Sequence, residues 1–351
     1  MNIMKEKQSF SRRKFIGTGS LFAAGMLLPV QKIIGAPAIL KYFGKPNSII
    51  KGVQVGVQTY SFRSMEDQSA EATLKYILDS GISAVELMGG PAESFAGMPE
   101  NPVNWRVLYG LMRKQRNGAA LSEDETNELA DLQAQMKAYN QKVAEWRMNA
   151  PMDKFEKVRK MYNDAGVSIY AFKPRAFEKA NTGAEIDYGF RAAKALGASH
   201  VTLEHPSDDS HTLKLGTMAK KHKIQVAYHG HEQQTSSFWD TALQQSKYNM
   251  LNLDLGHYIA AGNENPSDLI RTHHNRISSM HIKDRQTPAN GKDNLVWGKG
   301  DTPIGQILGL MSKESYSFPA TIELEYQIPE GSDAVKEVAR CLEFCREQLK
   351  T

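Results

Sequence analysis

Eight short apolar, β-branched runs recur along the chain, and that recurrence constrains the fold more than any other feature. They are "VQVGVQTY" (53–60), "SAVELM" (83–88), "VSIYAF" (167–172), "HVTLE" (200–204), "IQVAYH" (224–229), "MLNLDL" (250–255), "ISSMHI" (277–282) and "ATIELEY" (320–326). Between most of them lies a helix-like segment, such as "SAEATLKYILDSG" or "GAEIDYGFRAAKALGA". Two of these helices run into glycine before the next strand, as a left-handed C-terminal residue requires. Strands that alternate with helices make right-handed βαβ units and a parallel sheet. About eight such units predict a closed (β/α)8 TIM barrel, a single domain over residues 50–351. An open doubly wound sheet is the runner-up, but no glycine-rich phosphate turn follows the first strand.

One connection is too long for a crossover. About 75 residues separate "VELMGG" from "VSIYAF", far more than the few residues usual around a crossover helix. Residues of about 91–150 therefore read as a helical insertion between strands 2 and 3. Within it, Ser122 and Glu125 form a capping box, and Leu129, Leu132, Met136, Tyr139, Val143 and Trp146 recur at helical spacing. Such a segment serves as a lid, a subunit contact in a homo-oligomer, or padding of the barrel wall.

Residues 1–36 read differently from the rest. "SRRKFI" holds the twin arginines Arg12 and Arg13, followed by a weakly apolar stretch and the small-residue run "GAPA". That order predicts a twin-arginine export signal, and hence a periplasmic or otherwise extracytoplasmic protein. The apolar stretch is shorter than the roughly 20 residues that span a bilayer, so no stable membrane insertion is expected. The leader holds six cationic residues and one acidic one, which leaves a body near −1 from a full-chain charge of +4. A near-neutral body lacks the basic face that nucleic acid demands. Cys341 and Cys345, the only cysteines, sit four apart on the last predicted helix and read as packing residues.

In a barrel, functional groups collect at the C-terminal ends of the strands. Those ends carry Glu86, Lys173, Glu204, His229 with His231, Asp254 with His257, His281 with Lys283, and Glu323 with Glu325. Taken singly, each has a simpler reading: Asp254 and His257 can bond locally, and Lys173 can pair with Glu325. Together, five successive strands ending in carboxylates or imidazoles call for a cation, because charged groups are seldom buried unless paired or metal-bound. Carboxylate and imidazole without thiolate suit a divalent metal: Mn, Mg, Co or Zn.

"AYHGHEQ", "LDLGHYIAAG", "MHIKDR" and "IELEY", in this order, resemble the strand ends of the xylose isomerase-like TIM barrel superfamily. It includes sugar phosphate isomerases and epimerases, ketose 3-epimerases and inosose dehydratases. The resemblance extends from about residue 53 to the C-terminus, outside the insertion. It implies Asp254, His281 and either Glu323 or Glu325 as metal ligands. Where the epimerases carry a first glutamate, this chain has His229, as in the histidine-rich branch resembling inosose dehydratases and 3-keto-glycoside lyases. Either His229 or Glu204 then completes the set.

The expected chemistry is proton abstraction next to the carbonyl of a non-phosphorylated sugar or glycoside, through an enediolate. His229, His231, Glu204 and Lys283 are the candidate catalytic residues, and Glu86, Lys173 and His257 the candidate substrate-binding ones. Reprotonation gives a sugar isomerase or epimerase. Loss of a β-substituent gives a 3-keto-glycoside lyase, and a non-catalytic sugar-binding barrel is a further alternative.

Overall fold

Every barrel strand is buried along most of its length, which is why the apolar runs show so little polar alternation. The computed structural model describes residues 44–350. Arg12, Arg13 and the small-residue run of the expected export signal lie outside the described residues. The barrel strands are β1 (Val53–Gln58), β2 (Ala84–Met88), β3 (Ser168–Lys173), β4 (His200–Glu204), β5 (Gln225–His229), β6 (Asn249–Asp254), β7 (Ile277–Ile282) and β8 (Ala320–Ile322). Each pairs in parallel with its neighbour in sequence, and β8 pairs with both β7 and β1, which closes the ring. A two-residue strand, Ile49–Ile50, pairs antiparallel with the start of β1.

Register sets the site. Glu204 lies opposite His229, His229 opposite Asn252, and Asp254 opposite His281. Four neighbouring strands therefore bring their polar ends to the same mouth, Asp254 and His281 two residues further along than Glu204 and His229. Below the mouth the apolar core runs through Val55, Val57, Leu251, Leu253, Met280 and Ile322 to the helices outside. The helix after β1, α1 (Ala70–Asp79), is capped by Ser69, whose side chain accepts from the Ala72 amide. The last helix, Ala334–Lys350, buries Cys341 and Cys345 as free thiols.

The long connection between β2 and β3 holds helices Gly89–Phe95, Trp105–Arg116, Glu123–Met148 and Met152–Asp164. Ser122 and Glu125 make the capping box of the 26-residue helix. Val103, Leu108, Leu111, Leu129 and Leu132 form a small core of their own, apart from the barrel core. The far end of that helix is tied down by Arg147, buried at 2.8 Å from Glu185.

Two local expectations are corrected. The last strand stops at Ile322 and does not run on to Tyr326, because side chains take over the ladder: Leu324 donates its amide to Ser61 Oγ at 3.0 Å, and its carbonyl accepts from Arg63 at 2.7 Å. His231 lies past the end of β5, on the loop that follows. Among the described residues no helix is long and apolar enough to cross a membrane.

Candidate active site

Asp254 is the last residue of β6 and the N-cap of the short helix Leu255–Ala260, so one side chain serves two structures. Its Oδ1 accepts the His257 amide at 2.7 Å. Its Oδ2 is buried, lies 2.9 Å from Lys283 Nζ, and is 3.8 Å from both His229 Nε2 and His281 Nδ1. His281 Nδ1 is in turn 2.9 Å from Glu323 Oε2. His229, Asp254, His281 and Glu323 thus each bring one buried ligand atom within 4.8 Å of the others.

Both imidazoles are oriented from behind. His281 donates Nε2–H to Glu86 Oε2 at 2.8 Å, and Thr202 Oγ1 fixes the other Glu86 oxygen at 2.7 Å. With the Asn252 amide oxygen toward the ring, His229 donates Nδ1–H to Asn252 Oδ1 at 2.7 Å, and the Asn252 amide group donates to Ser279 Oγ at 2.7 Å. Each ring turns its remaining nitrogen, Nε2 of His229 and Nδ1 of His281, toward Asp254 Oδ2. This is how a metal-binding histidine is held in its tautomer.

The surrounding carboxylates make His281 an imidazolium whose Nδ1–H donates to Glu323, a proton that a bound cation would displace. Five carboxylates, Glu86, Glu204, Asp254, Glu323 and Glu325, meet two ammonium groups, Lys173 and Lys283. Burial alone would drive the His281 pKa down, but Glu86 and Glu323 lift it to about 10. Burial raises Glu86, yet His281 and Lys173 hold it at about 2. Burial, with the nearby His281 and Lys173 charges, drops His229 to about 3, so its lone pair is free at neutral pH. Glu323 is held well below the carboxylate range against its burial by Lys283 and His281. An excess of carboxylates over cationic groups and a thiolate-free N,O donor set fit a divalent cation.

Around this quartet stand the other residues expected from the sequence. Lys283 Nζ lies 2.9 Å from Asp254 Oδ2, 2.6 Å from Glu323 Oε2 and 3.0 Å from Glu325 Oε2. Its pKa is raised against burial by those three carboxylates, so it stays cationic. Glu204 stands outside the quartet, between Lys173 Nζ and His231 Nε2, each at 2.8 Å. His231 is half exposed, and its hydrogen bond to Glu204 raises its pKa. His257 is buried, its ring 4.5 Å from that of His231. Glu325, on the loop after β8, is 3.8 Å from His257 Nε2. Of the two glutamates left open for the last ligand, Glu323 joins the quartet and Glu325 pairs with Lys283. Glu86 is fully buried beneath His281, where it orients the ring and is shielded from the mouth.

Asn252, Thr202 and Arg285 were not singled out from the sequence. Asn252 had a usable signal: it sits two residues before Asp254 and so on the same strand face, a polar residue pointing inward.

A family described as xylose isomerase-like TIM barrel matches residues 132–346. No curated protein matches the chain. Among solved structures it is similar to a sugar phosphate isomerase/epimerase from Parabacteroides distasonis, at 15% identity over 86% of this chain and 96% of that one, with a TM-score of 0.54. It is also similar to 3-keto-D-glucoside 4-epimerase from E. coli, at 10% identity over 84% and 99%, TM-score 0.54. A third is a probable 3-DHS dehydratase from Bacillus anthracis, at 12% identity over 83% and 97%, TM-score 0.54. At such identities the likeness is one of fold.

Proposed function

Because the chain belongs to the xylose isomerase-like TIM barrel family, we propose that its barrel mouth binds a divalent cation and a non-phosphorylated sugar, and moves a proton next to the sugar's carbonyl. His229, Asp254, His281 and Glu323 would hold the cation. Bound there, it would polarise the carbonyl and lower the cost of removing the neighbouring C–H proton. The observation that carries this reading is the buried quartet with its excess of carboxylates, opening onto the half-exposed pair His231 and Glu204.

The residues divide the remaining work. Glu325 is the mouth carboxylate outside both the quartet and the Glu204 pair, and it takes the C–H proton. Lys283, cationic beside Glu325, Glu323 and Asp254, faces the charge that develops on the substrate oxygen. His231, kept protonated by Glu204, returns a proton either to the neighbouring carbon, which isomerises the sugar, or to the same carbon from the opposite face, which epimerises it. Lys173 anchors Glu204 from the barrel side. This sequence gives isomerisation or epimerisation.

A second reading rests on the same His231. A protonated imidazole backed by a carboxylate can also protonate a leaving oxygen, which turns the reaction into β-elimination, as in a 3-keto-glycoside lyase. The dehydratase among the structural neighbours accords with this. Incubation with Mn in heavy water, against free ketoses and against 3-keto-glycosides, separates the two. Deuterium in a recovered sugar isomer marks isomerisation, release of an aglycone marks elimination, and neither with any such substrate refutes proton transfer. The twin-arginine segment supports an extracytoplasmic sugar or glycoside as substrate.

A further inference from the structure

Three imidazoles, those of His229, His231 and His257, also bring ligand atoms within 4.8 Å of one another, which has the outward form of a second metal site. The geometry points to a different arrangement: Arg285 is a positioning residue that holds His257 as a fixed N–H donor facing the barrel mouth, and thereby keeps His257 out of any metal site.

A guanidinium can only donate. Arg285 Nη1 lies 2.6 Å from His257 Nδ1, both groups buried, so Nδ1 must present its lone pair. The single ring proton is then on Nε2. Nε2 is buried, has no hydrogen-bond partner, and faces the mouth near Glu325. A metal on Nε2 would strip that proton and leave an imidazolate, while the same nitrogen as a donor needs only an oxygen acceptor. The chemical class that satisfies it is a keto or hydroxyl oxygen of the substrate.

The clamp is rigid on both sides. Arg285 Nη2 donates to Glu232 Oε1 at 2.8 Å and to the Lys292 carbonyl at 2.6 Å, and Lys292 Nζ grips the other Glu232 oxygen at 3.0 Å. His257 is fixed through its amide by Asp254. Gly256 lets the two sides meet, since a Cβ there would come within 2.8 Å of the Lys283 carbonyl oxygen. The donor role rests on the reading that a sugar enters this mouth, whereas the tautomer and the metal count do not.

Long-range 1H–15N correlation on 15N-histidine-labelled protein reads the tautomer directly. We expect one ring protonated at Nε2 and bare at Nδ1, absent from His257→Gln. It should lose that form in Arg285→Met and keep it in Arg285→Lys, which still donates. Titration with Zn alone should give His257→Gln the same number of bound ions per chain as the wild type. Where turnover is observed, Arg285→Met should slow it on the order of tenfold, with Arg285→Lys recovering part of the loss. A wild-type His257 protonated at Nδ1 or at both nitrogens, an unchanged ring in Arg285→Met, or loss of a Zn ion in His257→Gln would each overturn the proposal. Absence of turnover with an Nε2–H ring would count against the sugar reading and leave the clamp standing.

Discussion

Asp254 and His257 are coupled through one carboxylate: Oδ1 accepts the His257 amide at 2.7 Å, and Oδ2 is buried beside Lys283, toward His229 and His281. The cap fixes the position of Oδ2, and the helix it starts carries His257 to the mouth. The two roles separate by mutation. Asp254→Asn keeps an oxygen for the cap but removes the charge, so metal affinity should fall sharply while the stability lost is only that of the buried contact with Lys283. Asp254→Ala should lose the affinity and also about 1 kcal/mol of stability, the usual worth of an N-cap. Thermal melts and metal titration on both variants check this.

Glu86 acts through His281. It lies beneath the ring with no access to the mouth, so Glu86→Gln should leave the fold intact and weaken metal binding by about 10–100-fold, the range for a partner behind a ligand. Isothermal titration with Mn reads this directly.

The pH profile follows from His231. Its neighbours are Glu204, Asp254, Lys283 and the rings of His229 and His257. The Glu204 hydrogen bond raises its pKa, against burial and Lys283, so the protonated form persists above the ordinary histidine range. An acid is active when protonated, so turnover should fall as pH rises through that raised value. Glu204→Gln removes the cause of the raise and should move the fall to lower pH. His231→Gln should slow deuterium transfer on the order of a hundredfold and abolish that limb.

The strand ends were legible because a parallel barrel sends them all to one mouth: Asp254, His281 and one of Glu323 and Glu325 follow from strand order and resemblance together. The choice of His229 over Glu204 was not, since it depends on register. Glu204 sits level with His229 but turns to Lys173 and His231. Nor was the placement of Glu86, which its position near a strand end put at the mouth. Its carboxylate reaches inward to His281, 195 residues away in sequence. The pairing of Arg285 with His257 depends on the close approach at Gly256, which only three-dimensional contact reveals.

Export is tested apart from chemistry. Replacing Arg12 and Arg13 with lysine keeps the charge and removes the guanidinium pair, so the precursor should accumulate in the cytoplasm. Normal processing of the double variant, seen by fractionation and mass, would refute the twin-arginine assignment.

Metal content tests the central claim most directly. Protein equilibrated with Mn or Zn, freed of excess ion and measured by elemental analysis, should hold one ion per chain in the wild type and in Glu325→Gln. Asp254→Asn and His281→Gln should hold far less. No bound ion in the wild type, or a full complement in both Asp254→Asn and His281→Gln, would contradict the account.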